Sequence, residues 1–358
     1  MKNRSILLIT AIAALAFSCK PKDEAVTFTI SPSVNYGEQN GKPVNTHVSY
    51  PASYRPDSIA YFLDGVYVGS KKDSSAVIIK TDTLRCGSRV ITANVYKGGK
   101  SQVVTTNIII MPTRMPTRYR FKLIKKFPHD TTAFTEGLSY LDGYLYESTG
   151  GLGHSEIRKV ELETGKVVQR QKLDDKYTGT GSAVIGDKIV MFTQKDKAGF
   201  VFDKNTLKQV KQFNYVDSVA WGATTDGKKI YVGNSANRIW LLDPNDYHKT
   251  GSIEIYDHEA PVNQIGELEY IDGKIYANIF DYDTMLIING KTGAVEKAIS
   301  FMELWPGKER PAKFEGDKNV FNGIAWDAKG KRLFVTGKKW PFVYQVELVK
   351  ATMEETQH

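Results

Sequence analysis

The chain has 358 residues and a formal net charge of +8, a length that suits two domains with a core each. Part of that charge belongs to the N-terminal leader and the rest is scattered over turns and polar strand faces, which excludes a nucleic-acid-binding protein. His47, His129, His154, His248, His258 and His358 stand singly, with no H-x-H or H-x-x-x-H pair, which excludes a histidine-based metal site.

Residues 1–19 read as an export signal. Lys2 and Arg4 precede a stretch of 12 apolar residues from Ile6 to Phe17. A bilayer span needs about 20 apolar residues, so this stretch is too short to be a membrane helix. It runs into Ala16-Phe17-Ser18-Cys19, which resembles a bacterial lipobox. Small residues before a cysteine let the peptidase cut, and the Cys19 thiol then carries a diacylglycerol. Two or three acyl chains anchor stably where one does not. The alternative is an ordinary signal peptide in which Cys19 has no role. Residues 20–24 (KPKDE) read as a tether, and their acidic residues resemble the surface-export signals of Bacteroidetes lipoproteins. These features predict a monomeric envelope protein, lipid-anchored to the outer membrane on its periplasmic or outer face. With Cys19 lipidated, Cys86 has no partner within the chain, so the fold is expected to hold without a disulfide.

Residues 25–111 alternate β-branched or aromatic residues with polar ones, in runs such as SIAYFL and RVITANVY, with turn signals at Asp64-Gly65, Cys86-Gly87 and Gly98-Gly99. About seven short strands over this length predict an immunoglobulin-like β-sandwich. Nothing in it suggests catalysis, and it reads as a spacer or docking module. Residues 112–118 contain two prolines in a tandem MPTR, which predicts a semi-rigid linker.

From residue 119 to 349 one phrase recurs: a turn with Gly beside Asp or Lys, then an alternating strand. The copies are LDGYLYESTG from Leu141, IGDKIVMFTQ from Ile185, TDGKKIYVGN from Thr225, IDGKIYANIF from Ile271 and AKGKRLFVTG from Ala328. Their turn glycines lie 43, 41, 46 and 57 residues apart. That period, in units of short strands and tight turns, predicts a five-bladed β-propeller and an all-β protein. The segment from Tyr119 to Phe127 is expected to pair with the last strands and close the ring. The long gap before the fifth copy holds an insertion, Phe301 to Asn319, with Trp305-Pro306-Gly307, expected as a short helix or a cover over the mouth. Residues 350–358 form a C-terminal tail.

A second set of motifs interrupts the repeat: FTEGL at 134–138, YESTG at 146–150, AWG at 220–222, ELEY at 267–270, ANI at 277–279, NGIAWD at 322–327 and VTGKKWP at 335–341. Together, in this order, they resemble the glutaminyl-peptide cyclotransferases of plants and bacteria, a five-bladed propeller family, over roughly Phe127 to Leu348. The sandwich lies outside the resemblance. The family implies closure of an N-terminal glutaminyl residue to pyroglutamate with release of ammonia, without metal or other cofactor. That chemistry needs a neutral α-amine, polarisation of the side-chain amide and delivery of a proton to the leaving nitrogen.

The resemblance implies Lys338 as the site lysine, Trp221 as a wall of the pocket, and Glu136 near the substrate amine. Phe280 keeps ring bulk where the family commonly has Trp; Phe134 and Asn322 belong to the same mouth. Three departures stand out. Family members usually read Tyr-Phe-Gly-Glu-Gly where this chain has YTGTG at 177–181, so Thr180 replaces the proton-shuttling Glu and Thr178 an aromatic residue. Gly266 stands where Asn is common, and Gln194 where an aromatic is common. A threonine hydroxyl does not titrate near neutral pH, and loss of a positioned acid or base typically costs about 10²–10⁴-fold in rate. Glu136 or Glu267 is then expected to manage protons. Plainer readings compete at each position: solvated charge for Lys338, inter-blade packing for Trp221, a solvent-facing pair for Glu267 and Glu269, and turn-fixing for Asn322 and Asp327. Two functions follow: a cyclase of N-terminal Gln peptides, or a catalytically silent envelope propeller that binds a peptide or protein.

Overall fold

The computed structural model describes residues 26–215, 219–306, 309–310 and 319–352. The export signal, Cys19, the tether, the end of the tail and most of the insertion's centre lie outside the described residues. What is described is all β. Eight strands form two sheets: β1 (Thr29–Ser31), β3 (Val44–Ser49) and β6 (Val77–Ile79) in one, and β2 (Tyr36–Gln39), β8 (Lys100–Met111), β7 (Gly87–Lys97), β4 (Ser58–Leu63) and β5 (Val66–Lys71) in the other. Alternation buries one face of each: Ile59, Tyr61 and Leu63 of β4 and Ile91, Ala93 and Val95 of β7 meet Val44, Val48, Val77 and Ile79 across the gap. Cys86 is buried here as a free thiol, which burial pushes up to about 11.

Each of the next four units is an antiparallel four-stranded meander. They comprise β10–β13 (Thr135–Leu141, Tyr144–Thr149, Glu156–Glu161, Val167–Lys172), β14–β17 (Gly179–Ile185, Lys188–Thr193, Ala198–Asp203, Gln209–Asn214), β18–β21 (Ala223–Thr225, Ile230–Gly233, Arg238–Leu242, Lys249–Glu254) and β22–β25 (Ile265–Ile271, Lys274–Ile279, Thr284–Asn289, Val295–Ser300). The fifth is built from both ends of the domain: β26 (Phe321–Asp327), β27 (Arg332–Gly337), β28 (Phe342–Lys350) and, antiparallel to β28, β9 (Thr117–Pro128). β9 also makes a short parallel pairing of Thr117–Tyr119 with Lys297–Ile299 of β25, so blades four and five share one eight-stranded sheet.

The middle strands are more apolar than alternation requires. Ile189 to Phe192 of β15 and Phe200 to Phe202 of β16 are all buried, because a blade is covered on both faces by its neighbours. Five apolar clusters fill the five gaps between successive blades, and the cluster of Phe127, Ala325, Phe334 and Val343 against Leu138, Leu145 and Val160 closes the fifth blade on the first. The innermost strands β10, β14, β18, β22 and β26 touch in sequence around the axis and back to β10. The described flanks of the insertion pack against blades five and four: Trp305 sets its edge on Trp340 of blade five (5.7 Å), and Arg310 bonds Asp283 of blade four at 2.7 Å.

Candidate active site

Four of the five innermost strands start with a bulge, between Thr135 and Gly137, Gly179 and Ser182, Ile265 and Leu268, and Phe321 and Ile324. In the remaining blade, Trp221-Gly222 occupies the same place ahead of β18, bonded to Gly233 in both directions. Five residue pairs thus ring the axis: Glu136-Gly137, Thr180-Gly181, Trp221-Gly222, Gly266-Glu267 and Asn322-Gly323. Glycine is required where the strands converge. A Cβ on Gly181 would lie 2.6 Å from the Ala223 nitrogen and the Trp221 oxygen, and one on Gly137 would lie 2.7 Å from the Ser182 nitrogen. Each bulge re-aims the residue beside it, and in blade one that residue is Glu136.

Lys338 stands in the turn after β27. Its N–H donates to Val320 O (2.9 Å), and the N–H of Lys339 donates to Ala133 O (2.7 Å), so the turn is tied to blades five and one. Gly337 is needed because a Cβ there would meet the Trp340 ring at 2.3 Å. The Lys338 side chain is buried, with Nζ 2.7 Å from Glu136 Oε1, 4.3 Å from the Phe134 ring centroid and 5.7 Å from that of Phe280. Trp221 tilts against Phe280 at 5.1 Å. Five residues from blades one, three, four and five therefore surround one place. Desolvation holds the Glu136 carboxyl above the usual carboxylate range, although the Lys338 ammonium pulls the other way. A carboxyl of raised proton affinity can take up and give back a proton, and the fixed cation beside it can meet a developing oxyanion.

Behind this pair lies a buried network that the sequence reading did not assign. Glu147 accepts hydrogen bonds from Thr135 Oγ1 (2.7 Å) and Arg158 Nε (2.8 Å) and pairs with His129 Nε2 (3.1 Å). His129 Nδ1 is 2.7 Å from the Trp340 carbonyl, and Arg158 also bonds Asp130 at 3.0 Å. One carboxylate thus fixes the residue next to Glu136 and, through His129, the turn that holds Lys338. Although burial opposes ionisation, Arg158 and His129 together hold Glu147 down at about 2. Its only trace in the sequence is a charged residue inside YESTG, in a strand that is otherwise buried.

Glu267 does not join the pair. It is 1% exposed, and its carboxylate accepts the N–H groups of Leu138 (3.3 Å, blade one) and Ile324 (2.9 Å, blade five). Glu269 likewise accepts from Trp326 N–H (3.0 Å) and Thr224 Oγ1 (3.2 Å). These bonds do not fit the competing plainer reading of a solvent-facing pair, because both carboxyls tie strands of neighbouring blades together. An innermost strand has one edge facing the axis with no strand to pair it, and these carboxylates satisfy the N–H groups there. Burial raises both, Glu267 well above the usual range and Glu269 to about 8. Asn322 is also a staple: its amide donates to Thr135 O (2.8 Å), and its Oδ1 accepts from Asn278 (3.2 Å). Asp327 fixes a turn, accepting from Lys329 and Gly330.

Thr180 is buried, and its Oγ1 has no hydrogen-bond partner among the described residues. Thr178 and Gln194 are half-buried at the same mouth and linked by a backbone bond of 2.9 Å. At Gly266 a Cβ would lie 2.3 Å from Asn278 Oδ1, so the Asn278 amide already fills the space an asparagine would take. Beside the Glu136–Lys338 pair, a cleft of about 980 Å³ opens over blade one and reaches in to Phe134 and Gly150.

The profile of the glutamine cyclotransferase family matches residues 89–348. The match begins inside β7 of the sandwich, earlier than the Phe127 expected from the motifs. Glutaminyl-peptide cyclotransferase of Arabidopsis thaliana is 36% identical over 232 residues, which span 64% of this chain and 72% of the plant protein. The crystal structure of Myxococcus xanthus glutaminyl cyclase superposes with a TM-score of 0.61 at 27% identity, covering 66% of this chain and all of that one.

Proposed function

The chain belongs to the glutamine cyclotransferase family, and from that premise we propose that it closes the N-terminal glutamine of peptides and proteins to pyroglutamate at the Glu136–Lys338 pair. The observation that carries this is the 2.7 Å contact of a buried lysine with a carboxyl of raised proton affinity, walled by Phe134, Phe280 and Trp221. The lone pair of the neutral α-amine attacks the side-chain amide carbon, and the ring C–N bond forms. The carbonyl electrons move onto oxygen, where the Lys338 ammonium meets the charge. Glu136 takes the proton that the amine loses and returns it to the side-chain nitrogen. The bond to that nitrogen then breaks, the carbonyl re-forms and ammonia leaves.

A second reading is favoured by Thr180. A buried hydroxyl without a partner among the described residues stands where the family resemblance implies a carboxylate, and a propeller that binds such peptides without turnover fits that loss. Ammonia release from a Gln-initiated peptide by the full chain separates the two. Turnover that falls about 10²–10⁴-fold in Glu136→Gln, and at least 10²-fold in Lys338→Ala, supports the cyclase. An inert wild type that gains turnover on Thr180→Glu supports the binding reading. The proposal includes anchoring at the envelope through a lipid on Cys19, so Cys19→Ala should move the protein from the membrane to the soluble fraction; retention in the membrane would rule the anchor out.

A further inference from the structure

The cleft over blade one is more than the rim of the pair. Its inner end is walled by Phe134 and Gly150, and a Cβ on Gly150 would lie 2.9 Å from Glu136 Cγ, so the cleft adjoins the Glu136–Lys338 pair. Its outer end is formed by Arg170 and Lys172 on the blade's outermost strand, with Lys339 and Arg158 along its length and Glu156 as the lining carboxylate. The lining thus sets four cations against one carboxylate; Arg158 is already paired with Glu147, Asp130 and Glu156, leaving Arg170, Lys172 and Lys339 as its outward charge. Arg158, itself buried, keeps its Nη2 without an acceptor among the described residues. Arg170 and Lys172 have side chains 62% and 52% exposed; Arg170 pairs with Glu156 at 3.8 Å and Lys172 with Asp175 at 2.6 Å, and exposed pairs of this kind are weak enough for a ligand carboxylate to exchange into.

Resting on the cyclase reading, we propose that this cleft receives the peptide downstream of the glutamine and selects chains with acidic residues there. The distance from the innermost to the outermost strand of a blade is three strand spacings, about 14 Å. Extended chain advances about 3.3 Å per residue, so the third to fifth residues of the substrate reach Arg170 and Lys172. Their carboxylates would be held by exposed cations, which adds binding without touching the reacting atoms. The effect should fall on KM and leave kcat unchanged.

The test compares Gln peptides of one length carrying Asp-Glu-Asp or Lys-Lys-Lys at positions three to five. Turnover is followed as ammonia release, and binding as fluorescence anisotropy of the labelled pyroglutamyl products. A KM about fivefold lower for the acidic peptide at low ionic strength, largely lost at 0.5 M salt, is expected for two exposed charge contacts (roughly). Arg170→Glu with Lys172→Glu, both on the exposed outer strand, should invert the preference with kcat unchanged. Turnover with equal KM for both peptides overturns the cleft and leaves the cyclase standing. Charge-selective binding without turnover keeps the cleft and overturns the cyclase. Neither turnover nor selective binding overturns both.

Discussion

Glu147 shows how much one buried side chain can hold. It accepts from Thr135 and Arg158 and pairs with His129, and those partners fix the segments that carry Glu136 and Lys338. Glu147→Gln keeps the shape but leaves Arg158 with one buried counter-charge fewer, and breaking such a pair costs about 3 kcal/mol or more. The carboxyl is depressed to about 2, so its stabilisation is complete above the unfolded value near 4.5 and is lost as pH falls toward 2. Denaturant unfolding of wild type and variant should therefore differ strongly at pH 7 and less at pH 3. An equal difference at both pH values would show that the pair does not carry the effect. The motif holding Glu147 was visible in the sequence; its role was not, because strand periodicity gives a face and not the partner across it.

At the scale of the element, the innermost strand β22 differs from its four counterparts. Gly137, Gly181, Gly222 and Gly323 leave the axis to backbone, whereas this blade brings in Glu267 and, two residues on, Glu269. Both satisfy strand N–H groups of neighbouring blades, so the ring is held at its centre by carboxyls of raised proton affinity. A carboxyl raised in the folded state binds protons more tightly there than when unfolded. Its contribution is present below about 4.5 and is lost as pH rises toward the folded value, about 8 for Glu269. Glu269→Gln keeps an acceptor for Trp326 N–H and removes that loss. The melting temperature of the variant should exceed that of wild type at pH 8.5 and match it at pH 5; parallel profiles would exclude Glu269 as the source. In the sequence a solvent-facing pair competed with a site pair, because alternation alone does not separate a strand edge on water from one on a closed axis.

For the whole molecule, the contact between sandwich and propeller is specific. Glu254 of β21 accepts the Ser88 N–H at 2.9 Å and pairs with Arg238, while Cys86 N–H donates to Thr292 O at 2.9 Å. A Cβ on Gly87 would strike the Glu254 carboxylate, so the two surfaces meet at van der Waals distance. Glu254→Ala should loosen this seam and speed tryptic cleavage at the exposed Arg114 between β8 and β9; an unchanged rate would mean that the remaining contacts suffice. The propeller itself was legible beforehand, because its turn glycines and strand patterns are local signals repeated in every blade. The pairing of β9 with β28 was legible for a related reason: an unclosed ring would leave an exposed edge. What the sequence by itself determined, then, was the repeating β architecture, the family motifs and the residue types at the mouth. Only the tertiary structure decided which of them meet. Glu136 and Lys338 are 202 positions apart and touch because ring closure sets the first blade beside the last. The same closure removes Glu147 and Glu267 from bulk water and half-buries Glu269, and a charge's role depends on the partners left to it once water has gone.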